Sequence, residues 1–453
     1  MSLWNLAQAQ AAVGGTLAGD GGIVPAALSM DTRTIRPGDA FVAIRAQRDG
    51  HAFAREAAAK GAAALLVDHE LPLDLAQLVV PDTLAALQRW GQARLEACRP
   101  RAVLAVTGSV GKTSTKEMLA GATGAWKTPG NRNNHYGLPE ALATLPEGLE
   151  AVVLEMGMSG PGEIRRLTEI APPDFGLVTN IGNVHMEHFP DGQQGIARAK
   201  GELVEALPAG GAWVHLADDP WCRWVALQPW ALARAVPVGP GSAYGWEDPV
   251  SLGAQGEAFN LRHPGGTLPV RLRLRGAHHV RNAALAGALA ILAGFDPAAV
   301  AAGLALAEPL PGRGRLHALG GGGWLLDESY NAVMESVLAC AGALLALDGG
   351  EAVAVLGCMR ELGPATENLH RQTGEGLKAL GLQRVLVYGD QARALAQGFG
   401  FGALAYPDFE AMRDDGAGLA SIPAGARILV KGSFYWRAAR AVDWLLDRFG
   451  AAP

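Results

Sequence analysis

Val103-Leu-Ala-Val-Thr-Gly-Ser-Val-Gly-Lys-Thr-Ser-Thr115 is an apolar run that ends in a glycine-rich turn closed by Lys112 and Thr113. The run reads as a buried strand, and the helix-compatible residues Ser114 to Ala122 follow at once, so the turn lies at a helix N-terminus. Gly108 and Gly111 let backbone N–H groups close around phosphate oxygens, Lys112 reaches the outer phosphates, and the Thr113 hydroxyl is placed to ligate magnesium. Thr107, Ser109, Val110 and Ser114 complete this nucleotide cradle. The common G-x-x-x-x-G-K-[ST] spacing is shortened, with Ser109 and Val110 alone between the glycines, so the strand-to-helix placement carries the reading.

Outward from this turn, strands alternate with helices: Val152-Val-Leu-Glu155, a helix over 162–170, then Phe175-Gly-Leu-Val-Thr179. Apolar strands separated by helices predict a parallel sheet covered on both faces. Residues 1–98 mix short strand-like runs, such as Ala40-Phe-Val-Ala-Ile44, with a helix over Ala52 to Lys60, which predicts a small α/β domain. Glu308-Pro-Leu-Pro-Gly-Arg-Gly314 interrupts the chain. Beyond it four further strands, Trp324-Leu-Leu-Asp, Ala352-Val-Ala-Val-Leu-Gly, Val385-Leu-Val-Tyr-Gly and Arg427-Ile-Leu-Val-Lys, predict a second open parallel sheet. The expected division is therefore 1–98, 99–312 and 313–453, with mobile linkers near 99 and 313.

The chain has 453 residues, 49% hydrophobic and 18% charged, with a net charge of −6. That balance fits a folded protein and excludes a broad nucleic-acid footprint. Cys98, Cys222, Cys340 and Cys358 lie far apart without C-x-x-C spacing, so neither a zinc site nor a disulfide framework is signalled. The N-terminus lacks a basic start before an apolar core, and no long apolar run follows elsewhere. A cytoplasmic protein without a membrane span is expected. The abundant alanine and the 60 glycines read as a bias of the source genome without functional content.

Several side chains fall where an open sheet binds ligands. Glu155 ends an apolar strand and suits a magnesium ion, or is a solvated strand-end acid. His185, in Thr179-Asn-Ile-Gly-Asn-Val-His185, emerges on the same edge as a metal or substrate ligand, or is structural. Lys200 lies in an amphipathic helix and on composition alone is a surface lysine. Asn131, Asn133 and Asn134 form an amide-rich loop that either turns the backbone or hydrogen-bonds a polar substrate. Asn282 opens the run Ala283 to Ala290, where it caps a helix or contacts a ligand. Asp327, Tyr330 and Asn331 follow a C-terminal strand and face either a ligand or a turn, while Arg313, Arg315 and Lys431 add positive charge where domains meet.

Taken in order, Thr-Gly-Ser-Val-Gly-Lys-Thr-Ser, Gly-Asn-x-Asn-Asn-x-x-Gly, Leu-Glu-Met-Gly, Thr-Asn-Ile-Gly-x-x-His, Ala-Lys-Gly-Glu and Asp-x-Ser-Tyr-Asn-Ala resemble the ATP-dependent Mur ligases of bacterial cell-wall synthesis. The likeness runs nearly the whole chain, including Asp31-Thr-Arg-Thr-Ile-Arg-Pro-Gly-Asp. Within the family, Asn133 to Pro139 and Glu155 to Ile164 look like the branch that joins D-alanyl-D-alanine to UDP-N-acetylmuramoyl-tripeptide.

The resemblance implies an N-terminal UDP-binding domain, a central ATPase domain and a C-terminal Rossmann-like domain, acting through an acyl phosphate; a monomer is expected, although the sequence carries no mark of oligomeric state. It implies ATP and two magnesium ions held by Thr113, Glu155, His185 and a carbamylated Lys200. It places Asn282 at adenine, Arg315 near the phosphates, Asp327 at ribose, and Asp31, Thr32, Arg33, Asn133, Asn134, Tyr330 and Asn331 at substrate. Another Mur-type or folylpolyglutamate-synthetase-like amide ligase is the alternative, and a nucleotide-binding protein without catalysis a third reading. The chain departs from the family at Val333-Met334, Cys358 and Phe434-Tyr-Trp436, all in the part expected to present the amine. The third residue of the peptide, lysine or meso-diaminopimelate, leaves no mark in the sequence.

Overall fold

A computed structural model describes residues 3–450. The strand Ala102–Thr107 is buried along its whole length and is central in a six-stranded, all-parallel sheet. Its neighbours, in spatial order, run Arg234–Val238, Ala212–Leu216, Phe175–Val178, then the central strand, then Ala151–Glu155 and Trp126–Lys127. Alternation along the central strand sends Leu104 and Val106 into one core and Val103 and Ala105 into the other, so both sheet faces are covered. Full burial of one such leucine contributes roughly 1.5–3 kcal/mol.

The helix Lys112–Thr123 follows the glycine-rich turn and packs against Ala277–Leu292 and Pro297–Leu304. Small residues allow that closeness: a Cβ on Gly121 would stand 2.8 Å from the carbonyl oxygen of Gly303. Ala283, Ala284, Ala286, Ala288 and Ala290 are wholly buried in the same layer.

An antiparallel meander, Gly245–Ser251, Glu257–His263 and Gly266–Leu272, completes this core with Phe259, Leu261, Val270 and Leu272. The strand Glu257–His263 alternates buried and half-exposed residues, a pattern the sequence reading did not single out.

The N-terminal sheet has five strands, of which Thr16–Ala18 alone runs antiparallel, against Ala76–Val79. Asp82 caps the helix Thr83–Cys98 by accepting from the N–H groups of Leu84 and Ala85. This helix is clamped to the middle sheet's layer rather than leading into a free linker. A Cβ on Gly91 would lie 2.7 Å from the Pro139 carbonyl oxygen, and the buried Arg94 donates through Nε to Leu145 O at 2.7 Å. The junction expected as a mobile linker near residue 99 is closely packed in this structure.

The C-terminal sheet has six strands, not four. Trp324–Glu328, Arg427–Lys431, Ala352–Gly357, Arg384–Tyr388 and Ala403–Tyr406 are parallel, and Arg315–Ala318 pairs antiparallel with Trp324–Glu328 at the edge. Both additional strands are edge strands with half-exposed residues, which weakens their apolar signature.

Candidate functional site

The phosphate loop is held open by backbone conformation and by neighbours from one other segment. Gly108 and Gly111 have φ of 146° and 85°, and a Cβ on Gly108 would overlap Thr179 Oγ1. Thr179 Oγ1 donates to Val110 O at 2.6 Å, Asn180 Nδ2 donates to the same oxygen at 2.9 Å, and Asn180 Oδ1 accepts from Val110 N at 3.0 Å. Ser109 Oγ accepts from Gly182 N at 2.8 Å. The sequence reading missed these pinning roles of Thr179 and Asn180, although both lie in a stretch it quoted.

Lys112 Nζ donates to Gly108 O at 2.6 Å and Ser109 O at 3.2 Å. Desolvation holds its ammonium below the ordinary lysine range; Glu155 opposes that shift and Arg313 adds to it. Arg313 is half-buried and its charge is felt at Lys112, while Arg315 is exposed at the start of the strand Arg315–Ala318. Its guanidinium stacks 3.7 Å from the centroid of Tyr330, which in turn lies 6.1 Å from the ring of Phe434. Asn331 instead turns to solvent and accepts from Ala332 N.

Glu155 is 2% exposed at the end of its strand. Oε1 accepts from Asn133 Nδ2 at 2.8 Å, whereas the buried Oε2 has no hydrogen-bond partner and lies 3.5 Å from Lys116 Nζ. A desolvated carboxylate oxygen left without a donor suits a hard cation, and the buried Thr113 lies in the first turn of the helix Lys112–Thr123. This donor set fits magnesium. Lys116, fully buried and donating to Thr128 O and Gly130 O, is a further residue that sequence reasoning missed. Asn134 accepts from the N–H groups of Tyr136 and Gly137, so it organises the turn into the helix Gly137–Leu142.

Lys200 is 1% exposed, which corrects the surface-lysine reading. Ile196, Lys200 and Val204 fall four residues apart on the buried face of the helix Gln193–Glu205, a spacing visible in the sequence. Lys200 makes no ion pair among the described residues. Burial pushes its amine well below the lysine range, and the charge of Lys112 lowers it further.

His185 sits in a left-handed conformation with φ of 54°, and its Nδ1 lies 2.5 Å from Glu361 Oε2. Asn282 is in the second turn of the helix Ala277–Leu292, 7% exposed, and does not cap it. Instead its side chain abuts the phosphate loop, since a Cβ on Gly111 would stand 2.9 Å from Asn282 Nδ2. Asp327 accepts from the N–H groups of Gly312 and Ser329, which ties the inter-sheet connection to the C-terminal sheet.

His278, His279 and Glu328 form a second polar cluster, their ligand atoms within 4.8 Å of one another. There Lys431 Nζ, 3.5 Å from Glu328 Oε2, supplies the cation. Asp31, Thr32 and Arg33 lie in the N-terminal part, where Asp31 accepts from the Arg33 backbone and guanidinium and is held down to about 2. Cys358 is wholly buried, its thiol pushed up to about 12 by desolvation, while Phe434 and Tyr435 are exposed.

Comparison with known proteins agrees with this geometry. Residues 106–290 match the Mur ligase middle domain and residues 312–434 the Mur ligase glutamate ligase domain. UDP-N-acetylmuramoyl-tripeptide--D-alanyl-D-alanine ligase of Escherichia coli (strain K12) is 37% identical over 389 residues, covering 83% of this chain and 84% of the relative. MurF from Acinetobacter baumannii superposes with a TM-score of 0.88 at 29% identity over 98% of this chain and 99% of its own. MurF from Thermotoga maritima, in complex with ADP, gives 0.80 at 27% identity over 93% and 97%. With the phosphate loop, the buried carboxylate and the full-length likeness in agreement, the chain belongs to the Mur ligase family, in its MurF branch.

Proposed function

We propose that this protein is the ATP-dependent ligase that joins D-alanyl-D-alanine to UDP-N-acetylmuramoyl-tripeptide, giving the pentapeptide precursor of peptidoglycan. The observation that carries the reading is the joint presence of a pinned phosphate loop and the desolvated Glu155 beside it in a chain 37% identical to a ligase of that name. The other Mur-type and folylpolyglutamate-synthetase-like readings are not favoured.

The terminal carboxylate of the tripeptide attacks the γ-phosphorus of ATP, forming an acyl phosphate and releasing ADP. The free amine of D-alanyl-D-alanine then attacks the acyl carbon, the C–O bond to phosphate breaks, and the amine proton is lost as the amide forms. Charge gathers on the phosphoryl oxygens, where the loop N–H groups, the N-terminus of helix Lys112–Thr123 and Lys112 stabilise it. Thr113 and Glu155 would hold magnesium, which neutralises charge between the phosphates. Asn282, against Gly111, would contact the adenine, Arg315 would approach the phosphates and Asp327 the ribose. Asp31, Thr32 and Arg33 would take the UDP-substrate; Asn133 would sit between the metal carboxylate and the substrate.

Lys200 supports a further element. A buried amine kept neutral is the form that attacks CO2, yielding a carbamate and a proton and exchanging a cation for a carboxylate-like group suited to a second magnesium with His185. The domain reading is 1–98 for UDP-substrate, 99–312 for ATP and 313–453 for the amine, in a cytoplasmic monomer. No helix among the described residues is long and apolar enough to cross a membrane.

The test is phosphate release with ATP, Mg2+, UDP-N-acetylmuramoyl-tripeptide and D-alanyl-D-alanine, each omitted in turn and repeated with Lys112→Ala. Release that needs all four and is lost in the variant supports the ligase. Release with a different amine would move the chain to a sibling activity, and none with any amine would leave a binding protein.

A further inference from the structure

The loop that carries His185 is gripped from the C-terminal sheet's side at three points. Glu361 Oε2 meets His185 Nδ1 at 2.5 Å. Gly363 presses on the loop so closely that a Cβ there would stand 3.2 Å from Glu187 Cα. Glu335 Oε1 faces Asn183 N at 3.4 Å, and a Cβ on Gly182 would lie 3.2 Å from the same oxygen. All three gripping residues lie beyond residue 313, whereas the gripped segment follows the middle-sheet strand Phe175–Val178.

Two of the touching residues share an unusual backbone. His185 has φ of 54° and Glu361 has φ of 63°, a left-handed conformation that non-glycine residues adopt only when the surroundings hold it. Relaxing either would swing a side chain off the other. The imidazole is 27% exposed, yet Nδ1 is fully buried with no hydrogen-bond geometry to any partner, so its approach to Glu361 is a close charge contact and the accessible part of the ring lies away from the carboxylate. A carboxylate on one ring nitrogen fixes tautomer and orientation and leaves the other nitrogen as the lone-pair donor.

We propose that Glu361 is the positioning residue of His185, so that seating of the C-terminal sheet on the 182–188 loop sets the imidazole for catalysis. The inference rests on the ligase reading and deepens it: the part of the chain expected to bring the amine also completes the phosphate end of the site, so turnover waits on its docking. The glutamate belongs to Met359-Arg-Glu-Leu-Gly363, a stretch to which sequence analysis attached no role.

The experiment is a double-mutant cycle on the intact protein with Glu361→Ala, His185→Ala, the pair together, and Glu361→Gln as the near-isosteric control. Loss of such an orienting partner typically costs about 10–100-fold. Glu361→Ala is therefore expected to lower kcat by that factor with KM for ATP and tripeptide within about twofold. The double variant should be no slower than His185→Ala alone, and Glu361→Gln, which keeps the side chain's shape and a polar oxygen beside the ring, should lose less of kcat than Glu361→Ala. Multiplying effects in the cycle, or a change confined to KM for D-alanyl-D-alanine, would overturn the proposal and make the contact simple packing. Imidazole 15N shifts of His185 in wild type and Glu361→Ala, read without turnover, separate the two hypotheses. A wild type inactive on the tripeptide refutes the ligase reading, whereas identical shifts refute the pairing.

Discussion

Replacing Gly108 by alanine tests whether the phosphate loop works by backbone shape. The new Cβ overlaps Thr179 Oγ1 and comes within 3.0 Å of the Thr179 backbone nitrogen, at φ of 146° where side chains are rarely accommodated. To escape, Thr179 must rotate and give up its 2.6 Å bond to Val110 O. Backbone strain of about 1–3 kcal/mol and a lost hydrogen bond of about 1 kcal/mol together remove about 2–4 kcal/mol. For a folding unit of this size that is a fall in melting temperature of roughly 5–15 °C. If the loop yields instead of the fold, the same energy appears as weaker ADP binding, tenfold for about each 1.4 kcal/mol. Thermal melts and calorimetric ADP titration read the two channels together. Adding Thr179→Ala removes the overlapping oxygen, so the double variant should lose less than the sum of the singles by about 1 kcal/mol. A Gly108→Ala protein that melts and binds ADP like wild type would refute the argument.

Other outcomes follow from the buried charges and the junctions. His278 is held down to about 4, and His279 well below its ordinary value, by burial in a cluster that also contains Lys431, Arg275 and Glu328. The unfolded chain takes up protons on both histidines below about 6.5 while the folded one resists, so stability is full above that pH and declines from there toward 4. Glu328, raised by burial, works in the opposite sense but is one group against two; melts at pH 7.5, 6 and 5 should fall, and less steeply in His278→Gln. With 13C-bicarbonate, a carbamate resonance should appear in wild type and be missing in Lys200→Arg, and its absence from active wild type would remove the carbamate from the mechanism. Small-angle scattering with and without ATP and tripeptide should change through motion about residues 312–314, whereas a disulfide engineered between helices Thr83–Cys98 and Gly137–Leu142 should leave that change intact.

The nucleotide site was legible because its demands are local. A strand end, glycines with positive φ and a helix N-terminus lie within a dozen or so residues, and each leaves a mark in residue type. Glu155 was legible for the same reason, as an acid closing an apolar strand. What escaped was set by distance along the chain: Asn282 against Gly111, Glu361 against His185 and Arg313 near Lys112 are meetings of remote segments. Lys200 stands between these cases. Its burial follows from Ile196 and Val204 at helical spacing, but residue type outweighed position in the reading. The meander of residues 245–272 was passed over because two of its strands carry Pro249 and Pro269 and have many exposed residues, which blurs their apolar signature.

The near contact of Gly121 with Gly303 changes how the chain's small-residue content is understood. Glycine and alanine there set the separation of the helices that support the phosphate loop, so in this layer composition is architecture and not a genomic accident. For protein engineering, the positions least open to variation are then not only those that would face ATP. A combinatorial library directed at the buried rear of helix Lys112–Thr123 should yield fewer working variants than one directed at half-exposed Ser114, because a single methyl group at Gly121 has no free volume to enter.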